Sequence, residues 1–318
     1  MTTTRNNQRR FDRVAVMMGG ISSEREVSLH SGNAVLAALR EAGYRAIPMV
    51  LDKASIEGLP RDVEAVFLAL HGAYGEDGGG QADLDRAGFP YTGSGSLASR
   101  LAMDKVASKR LLENAGIPTP AYEVLSPERA TTTLALPLVV KPPRDGSSLG
   151  VKRVRDPSEW APALAAARAI DPEVLVERYI PGSEWTVGIV GAEILPVVEI
   201  RARDDWYDYD AKYVDHDTQY LFPGDAADRE LVAHCRRLAW DTFEVLGGRG
   251  LGRVDFRIAP DGRPYVLELN TIPGFTDTSL VPKAAARAGL SFSALCARIL
   301  EYATCDVPAS NPLRHETP

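Results

Sequence analysis

Short apolar runs that lead into glycine-containing polar segments dominate the N-terminal third of the chain. Three of these runs have the length of strands, at residues 14–18, 45–51 and 65–70. Residues 31–42 instead show helical periodicity, and Gly43 predicts the end of that helix. The order strand, helix, strand, strand predicts a doubly wound parallel sheet of the α/β class. Ligands bind such sheets at the carboxyl ends of the strands, so residues 19–28 and 71–81 are the predicted binding loops.

The rest of the chain predicts α+β units. Strands are predicted at residues 138–141, 151–154, 174–180, 184–190 and 194–200, and helices at residues 105–115, 157–170, 229–246 and 291–303. Residues 201–224 are rich in Asp and Tyr with weak periodicity, which predicts a mobile functional loop. The predicted organisation is a disordered tail at 1–10, an N-terminal substrate domain at 11–103, a central lobe at 104–190, a C-terminal lobe at 191–305 and a tail at 306–318.

Two apolar segments near the C-terminus carry an oxygen-rich set of side chains. The first carries Asp255 and, two residues earlier, Arg253, and the second carries Glu268 and Asn270. Residues 259–262 between them predict a hairpin turn, which would bring these side chains onto one face. Carboxylate and amide oxygens are the ligands that Mg²⁺ takes when it also holds nucleotide phosphates. The alternative is a surface hairpin with solvated acids.

The register of this hairpin has two solutions. A two-residue turn at Asp261 and Gly262 places Asp255 opposite Glu268. A three-residue loop that begins at Pro260 shifts the pairing by one residue, and a bulge is then needed to restore the shared face.

Arg253 also has two interpretations. Its guanidinium could stabilise an anionic transition state beside a metal cluster. It could instead form an ion pair that balances the charge of Asp255.

Two further segments have the features of a nucleotide site. Lys141 ends an apolar strand just before the loop Gly146–Gly150, whose backbone N–H groups could cover phosphates, or which could be a simple turn. Glu177 and Glu184 flank another turn and could accept hydrogen bonds from adenine or ribose, or could be solvated acids.

Two residues in the predicted N-terminal loops are candidates for substrate contacts. Glu24 precedes a helix and could bind a substrate ammonium or interact with the helix dipole. His71 follows a buried strand, which favours a ligand site over a structural role because of its place at the strand's carboxyl end.

Composition narrows the class of protein without naming a reaction. The 318 residues are 45% hydrophobic and 25% charged, which is typical of a globular enzyme. The formal net charge of −7 argues against a nucleic-acid partner. The three cysteines have neither metal nor disulfide spacing, which predicts a reducing cytoplasm. No apolar run reaches 18 residues and the N-terminal segment lacks an apolar core, so neither membrane insertion nor a signal peptide is expected.

Taken in order, these motifs resemble the ATP-grasp enzymes and specifically the D-alanine–D-alanine ligase family. The resemblance extends from Val14 to about Ala303 and rests on residues 19–28, 71–78, 103–105, 140–142 with 146–148, 207–213, 252–255, and 268–274 with 279–280. It implies an N-terminal α/β domain followed by a two-lobed ATP-grasp fold. It also implies ATP-dependent joining of two D-alanines through a D-alanyl phosphate, for peptidoglycan precursor synthesis, by a cytoplasmic homodimer.

The resemblance implies a nucleotide and metal site. Its ATP-binding residues would be Lys105, Lys141, Gly146, Ser147, Ser148, Glu177, Arg178, Tyr179, Ile180, Glu184, Lys212, Glu268 and Asn270. Two Mg²⁺ or Mn²⁺ ions would be bound by Asp255, Glu268 and Asn270. Activation by a monovalent cation is left open.

The resemblance also implies the residues that contact the amino-acid substrates. They would be Glu24, Val27, Ser28, His71, Arg253, Gly274, Ser279 and Leu280. The catalytic set would be Glu24, Ser147, Tyr213, Arg253, Gly274 and Ser279.

Some positions bear on the choice of the second substrate. Tyr213 is the residue found in dipeptide-forming members, whereas ester-forming relatives differ there, and a tyrosine that only packs is the alternative. Phe275 and Thr278 stand where many relatives have Met and His, and Ala82 stands where Gly is usual. D-Serine or D-lactate as acceptor, or a non-catalytic ATP-binding protein, are the competing interpretations.

Overall fold

The structure is a computed structural model that describes residues 9–146, 149–202, 218–223 and 229–306. The predictions for Ser147, Ser148, Lys212 and Tyr213 lie outside the described residues, as do the two tails except for residues 9, 10 and 306, and most of the loop 201–224.

The first sheet is parallel, as the sequence predicts. Its strands are β1 (Arg13–Gly19), β2 (Arg45–Leu51) and β3 (Ala65–Leu68), in the order β2-β1-β3. The accompanying helices are α1 (Arg25–Glu41), α2 (Gly79–Ala87) and α3 (Ser96–Met103). Helix α1 begins at Arg25, well before the predicted start at residue 31. The prediction started late because the first turn is mostly polar and shows no apolar periodicity. Helices α2 and α3 are short, with 9 and 8 residues, and the sequence pattern did not predict them.

The second sheet is antiparallel and follows helix α4 (Lys105–Asn114). It contains β4 (Tyr122–Leu125), β5 (Leu138–Lys141), β6 (Lys152–Val154) and β7 (Val174–Arg178), in the order β4-β7-β5-β6, with helix α5 (Trp160–Arg168) between β6 and β7. Asp104 caps α4, since its Oδ1 accepts hydrogen bonds from the backbone N–H groups of Val106 and Ala107.

The third sheet is also antiparallel. Its strands are β8 (Ser183–Val190), β9 (Glu193–Ile194), β10 (Val198–Arg201), β11 (Gln219–Leu221), β12 (Leu251–Ile258) and β13 (Pro264–Asn270). The order is β11-β10-β8-β12-β13, with β9 paired to β8. The strand predicted over residues 194–200 is interrupted between β9 and β10, where Pro196 has no N–H to donate to a ladder.

Three helices complete this part of the chain: α6 (Arg229–Val245), α7 (Leu280–Arg287) and α8 (Phe292–Glu301). One hydrophobic core joins α7 and α8 to the first sheet, since Val16 of β1 and Leu39 of α1 are buried in the same cluster as Val281 of α7 and Leu295 of α8. Helix α6 packs in a separate cluster with β8 and β12. The core shared with the first sheet places the ends of the parallel strands close to the β12–β13 hairpin. No helix in the described part of the chain has the length and apolarity to span a membrane.

The β12–β13 hairpin uses the second of the two predicted registers. The Ala259 N–H donates to the Arg263 carbonyl at 2.9 Å, so the loop has three residues, and Ile258 pairs with Pro264. Leu267 is then the extra residue of a bulge, because Phe256 pairs with Val266 but Asp255 pairs with Glu268. The bulge therefore restores the face on which the predicted metal ligands meet.

Candidate active site

A cavity of about 480 Å³ is lined by residues of the second and third sheets, of α1 and of the loop after β3. Most of the predicted site residues that the structure describes line it: Glu24, Val27, His71, Lys105, Lys141, Gly146, Glu177, Arg178, Tyr179, Ile180, Glu184, Arg253, Asp255, Glu268, Asn270, Gly274, Ser279 and Leu280. Ser28 does not. Its hydroxyl donates to the Ala69 carbonyl at 2.6 Å and accepts from the Gly19 N–H at 2.8 Å, which ties the ends of β1 and β3 together.

The hairpin brings Arg253, Asp255, Glu268 and Asn270 onto one face, since Arg253 pairs with Asn270 and Asp255 with Glu268. The Arg253 guanidinium donates hydrogen bonds to both carboxylate oxygens of Asp255, with Nε 2.8 Å from Oδ1 and Nη2 2.7 Å from Oδ2. Asn270 Nδ2 donates to Asp255 Oδ2 at 3.0 Å, and the Thr186 hydroxyl donates to Oδ1 at 2.6 Å. The ion pair that the sequence offered as an alternative role for Arg253 is therefore present.

The donor set of this face fits a hard divalent cation. Asp255, Glu268 and Asn270 offer two carboxylates and one amide oxygen, the ligand chemistry that Mg²⁺ prefers. Within the described ranges, no group of three or more His, Cys, Asp or Glu side chains could hold a metal alone. A cation at the hairpin would accordingly take its other ligands from water and from a bound phosphate.

Lys105 lies beside this face. Its Nζ is 3.3 Å from Glu268 Oε2 and donates to the Asp145 carbonyl at 2.7 Å. Helix α4 therefore begins with an ammonium group that can reach both the hairpin and the loop after β5.

A buried cluster of charge forms the opposite wall. Glu177 is 2% exposed, and its two oxygens each lie 2.7 Å from a lysine, Oε1 from Lys109 Nζ and Oε2 from Lys141 Nζ. Burial alone would raise the pKa of Glu177, but the two ammonium groups outweigh it and hold the pKa below its ordinary value. Burial also lowers the pKa of Lys109, although Glu177 opposes that shift. Glu177 is thus a shared partner of two lysines, and its contact with adenine or ribose stays a prediction.

A second arginine organises the turn between β7 and β8. Arg257 Nη2 donates to the Gly182 carbonyl at 2.6 Å, and its Nε donates to the Ile180 carbonyl at 3.1 Å. Its Nη1 lies 3.4 Å from Glu184 Oε2. The guanidinium therefore shapes the backbone between the two acids that the sequence predicts as nucleotide contacts.

His71 and Ser31 connect the N-terminal sheet to the loop after β13. His71 Nε2 lies 3.4 Å from Ser31 Oγ, which accepts a hydrogen bond from the Phe275 N–H at 3.2 Å. Burial lowers the pKa of His71 to about 4, since the bond to the Ile272 backbone offsets only part of that cost and Arg253 adds to it. His71 is therefore neutral near pH 7.

Two acids lie close together beside His71. A methyl group built on Gly72 would be 2.9 Å from Glu24 Oε2, and one built on Gly146 would be 3.1 Å from it, so the Glu24 carboxylate lies between two glycine loops. Glu76 Oε2 accepts a hydrogen bond from the Gly72 N–H at 2.8 Å. Burial and the nearby Glu24 carboxylate raise the pKa of Glu76 to about 8, so only one of the two acids needs to be charged near neutral pH.

The loop after β13 contains Phe275 and Thr278, the two positions where many relatives have Met and His, and it places them in different surroundings. Phe275 is 2% exposed and packs in the core, with ring centroids 6.0 Å from Phe67 and 5.5 Å from Phe292. Thr278 lines the cavity, next to Ser279, whose hydroxyl accepts from the Thr276 N–H at 2.9 Å. Thr278 is therefore the position whose side chain can meet a substrate.

Four cavity or near-cavity residues were missed by the sequence analysis: Lys109, Arg257, Glu76 and Ser31. Two had a local signal. Lys109 lies four residues after Lys105, on the same helix face, and Arg257 lies two residues after Asp255 on β12. Glu76 had only its place in the predicted loop 71–81, and Ser31 had no such signal, since its partners His71 and Phe275 lie far away in sequence.

Comparison with known proteins gives a consistent set of relatives. The family model described as "D-ala D-ala ligase C-terminus" matches residues 111–301. The D-alanine–D-alanine ligases of Laribacter hongkongensis and Halorhodospira halophila are each 47% identical over 92% of this chain and 97% and 96% of their own lengths. The crystal structure of the Bacillus anthracis D-alanine–D-alanine ligase in complex with ATP superimposes with a TM-score of 0.81 at 36% identity, over 92% of this chain and 97% of that one.

Proposed function

The chain belongs to the D-alanine–D-alanine ligase family, and from this we propose that it joins two D-alanine molecules with the cleavage of ATP to ADP and phosphate. The product is D-alanyl-D-alanine, a building block of peptidoglycan precursors. The observation that carries the proposal is the shared face of Arg253, Asp255, Glu268 and Asn270, which lines one cavity with Lys105.

The two walls of the cavity suit the two halves of an ATP molecule. Lys105, Lys141 and the loop at Gly146 carry ammonium and N–H groups to the space between the walls, where phosphates would lie. The turn Arg178–Glu184, shaped by Arg257, lines the same cavity and would hold adenine and ribose. Asp255, Glu268 and Asn270 would hold Mg²⁺ or Mn²⁺, which when bound offsets the negative charge of the phosphates.

The reaction that this site supports has two steps. The carboxylate of the first D-alanine attacks the γ-phosphate of ATP and forms D-alanyl phosphate and ADP. The free amine of the second D-alanine then attacks the acyl carbon, loses a proton, and expels phosphate. Arg253 and the Gly274 N–H would stabilise the negative oxygen that develops on the attacked carbon.

The N-terminal loops would hold the first D-alanine. The Glu24 carboxylate would bind its ammonium group, and neutral His71, whose single N–H bonds to the Ile272 backbone, would lie near its carboxylate. A neutral imidazole suits that place because it leaves the attacking carboxylate its negative charge. Val27 lines the cavity beside Glu24, whereas Ser28 contributes by holding the ends of β1 and β3.

The end of α7 would hold the second D-alanine. Ser279 precedes the first turn of α7 and Leu280 begins it, so their polar groups can bind a carboxylate at the helix N-terminus. Ser147, Lys212 and Tyr213 lie outside the described residues, and their roles in closing the site and in choosing an amine over a hydroxyl acceptor are part of the proposal. The homodimer and the cytoplasmic location are part of it too.

The test is ATP-dependent phosphate release with Mg²⁺ and D-alanine, with products identified by mass. L-Alanine, D-serine and D-lactate are run in parallel, alone and mixed with D-alanine. Release with D-alanine alone, yielding the dipeptide, is the expected result. Phosphate release that requires D-serine or D-lactate beside D-alanine would show that the acceptor is a different molecule, while the ATP-dependent ligation would stand. ATP binding without release under every condition would overturn the proposal.

A further inference from the structure

Lys109 is a charged side chain with almost no access to solvent. It is 0% exposed, and its Nζ lies 2.7 Å from Glu177 Oε1, 2.5 Å from Thr119 Oγ1 and 3.3 Å from the Pro120 carbonyl. The Lys109 ammonium group donates to the Thr119 hydroxyl and the Pro120 carbonyl, and it forms an ion pair with Glu177. Fully buried lysines are rare unless they are paired in this way, so the fold maintains this charge at a cost. No step of the reaction proposed above uses Lys109.

The position of Lys141 depends on how Glu177 is shared. Each carboxylate oxygen of Glu177 faces one lysine, so Lys109 occupies the oxygen that Lys141 does not. Without Lys109, both oxygens would be open to Lys141. The cluster would also lose its net positive charge, since one carboxylate would then face one ammonium group. A neutral pair attracts a polyphosphate less strongly than a cluster with one excess positive charge.

Lys109 is also connected to the strand that carries the metal ligands. The Thr119 hydroxyl, bonded to Lys109, donates to the Val266 carbonyl at 2.9 Å, and the Val266 N–H donates to the Pro118 carbonyl at 2.8 Å. Val266 directly precedes the bulge residue Leu267, which sets the orientation of Glu268. Lys109 therefore contacts, directly or through one hydroxyl, both walls of the cavity.

We propose that Lys109 is a positioning residue for ATP. It fixes Lys141 through Glu177, and through Thr119 it holds the segment before β4 against β13. The inference rests on the ligase function proposed above and extends it to a side chain that contacts no substrate. Its effect is confined to the nucleotide, because Glu24, His71 and Ser279 lie on other elements.

The test compares Lys109→Met with Lys152→Met, which removes an exposed lysine from β6 of the same sheet. We expect KM for ATP to rise about tenfold or more in Lys109→Met, because Lys141 would be displaced and the cluster would lose its excess positive charge, while KM for either D-alanine changes less than about twofold. Lys152→Met should leave all three values near wild type. ATP binding measured by calorimetry should weaken by the same factor as KM.

A milder variant guards against misfolding of Lys109→Met. Thr119→Val keeps the shape of the side chain but removes the hydroxyl between Lys109 and Val266, and we expect a smaller rise in KM for ATP with D-alanine again unaffected. Equal rises in KM for ATP and D-alanine, or a lower melting temperature with unchanged KM values in the folded variants, would overturn the proposal and leave Lys109 a purely structural charge. Loss of dipeptide formation in the wild-type protein would instead refute the proposed function, so the two failures are distinguishable.

Discussion

The β12–β13 hairpin and the cluster of Lys109, Glu177 and Lys141 place acids beside basic side chains in the same cavity, but they balance charge in different ways. In the hairpin, the Glu268 side chain keeps 27% of its exposure, with Lys105 Nζ at 3.3 Å. In the cluster, both Glu177 oxygens lie 2.7 Å from a lysine and the carboxylate is 2% exposed. The hairpin can accept a cation from solution, whereas both oxygens of the acid in the cluster are already occupied by lysines, which leave the cluster one excess positive charge.

This difference separates two uses of a buried or half-buried acid. An acid that binds a reactant must stay open to it, so its removal should affect the reaction more than the fold. An acid that holds lysines in place is enclosed by them, so its removal leaves uncompensated charge in the interior and should affect the fold. Replacing the acid of the hairpin should therefore lower turnover more than stability. Replacing the acid of the cluster should lower stability more than turnover.

The largest expected effect is on turnover, from Glu268→Gln in the hairpin. We expect kcat to fall about a hundred- to a thousandfold or more, since the change removes a carboxylate that would hold the cation, with little change in the free energy of unfolding. Phosphate release and urea unfolding measure the two quantities. Asp261→Asn, at the exposed tip of the same hairpin, is the matched control and should keep full activity. Near-normal turnover in Glu268→Gln would contradict the assignment of Glu268 as a metal ligand.

The next effect is on folding, from Glu177→Gln in the buried cluster. We expect the free energy of unfolding to fall by about 3–5 kcal/mol, because two lysines would share a site without a counter-charge. Glu57→Gln, which breaks the exposed ion pair with Lys53, should leave it close to the wild-type value. Adding Lys109→Met to Glu177→Gln should recover part of the loss, since it removes one of the uncompensated charges. A double variant less stable than Glu177→Gln would contradict the charge argument.

A third effect separates His71, in the loop after β3, from the buried cluster by its dependence on pH. The pKa of His71 is about 4 in the folded protein and near 6.5 when unfolded, so the unfolded chain binds more protons as the pH falls below 6.5. We expect this to lower the free energy of unfolding by about 2 kcal/mol at pH 5. The folded-state pKa of Glu177 is below its ordinary value, so the contribution of the cluster is present at pH 5 and is lost only at lower pH.

Unfolding curves at pH 7 and pH 5 measure the loss of stability that we attribute to His71. His71→Gln should be less sensitive to the change, and the exposed His30→Gln should behave like the wild type. An equal drop in stability for His71→Gln and the wild type would show that other groups cause it.

The smallest effects concern the two unusual positions of the loop after β13. Phe275→Met should lower the free energy of unfolding by about 1 kcal/mol and leave KM for the second D-alanine unchanged, because Phe275 packs in the core. Thr278→His, on the cavity wall, should change that KM more than Phe275→Met does. The reverse order would place Phe275, and not Thr278, in the choice of acceptor.

Much of the site could be predicted because its signals are local. The alternation of Arg253 and Asp255 on one strand and of Glu268 and Asn270 on the next predicts a shared face, and the turn between them limits the register to two solutions. The first sheet was predicted for a similar reason, since apolar strands separated by a helix favour parallel pairing. Helices α2 and α3 were missed because helices of two to three turns depend on packing and are too short to show a clear periodicity.

What the sequence determined by itself is the identity and spacing of the reactive groups: the hairpin acids, the strand-end Lys141, the glycine loops and the order of motifs that resembles the ligase family. Only the tertiary structure decided which of those groups face each other. It selected the bulge at Leu267, enclosed Glu177 between Lys109 and Lys141, and turned Phe275 into the core while leaving Thr278 at the cavity. The physical reason is that spacing along a strand or helix is set by backbone geometry, whereas burial and charge pairing depend on distant segments meeting.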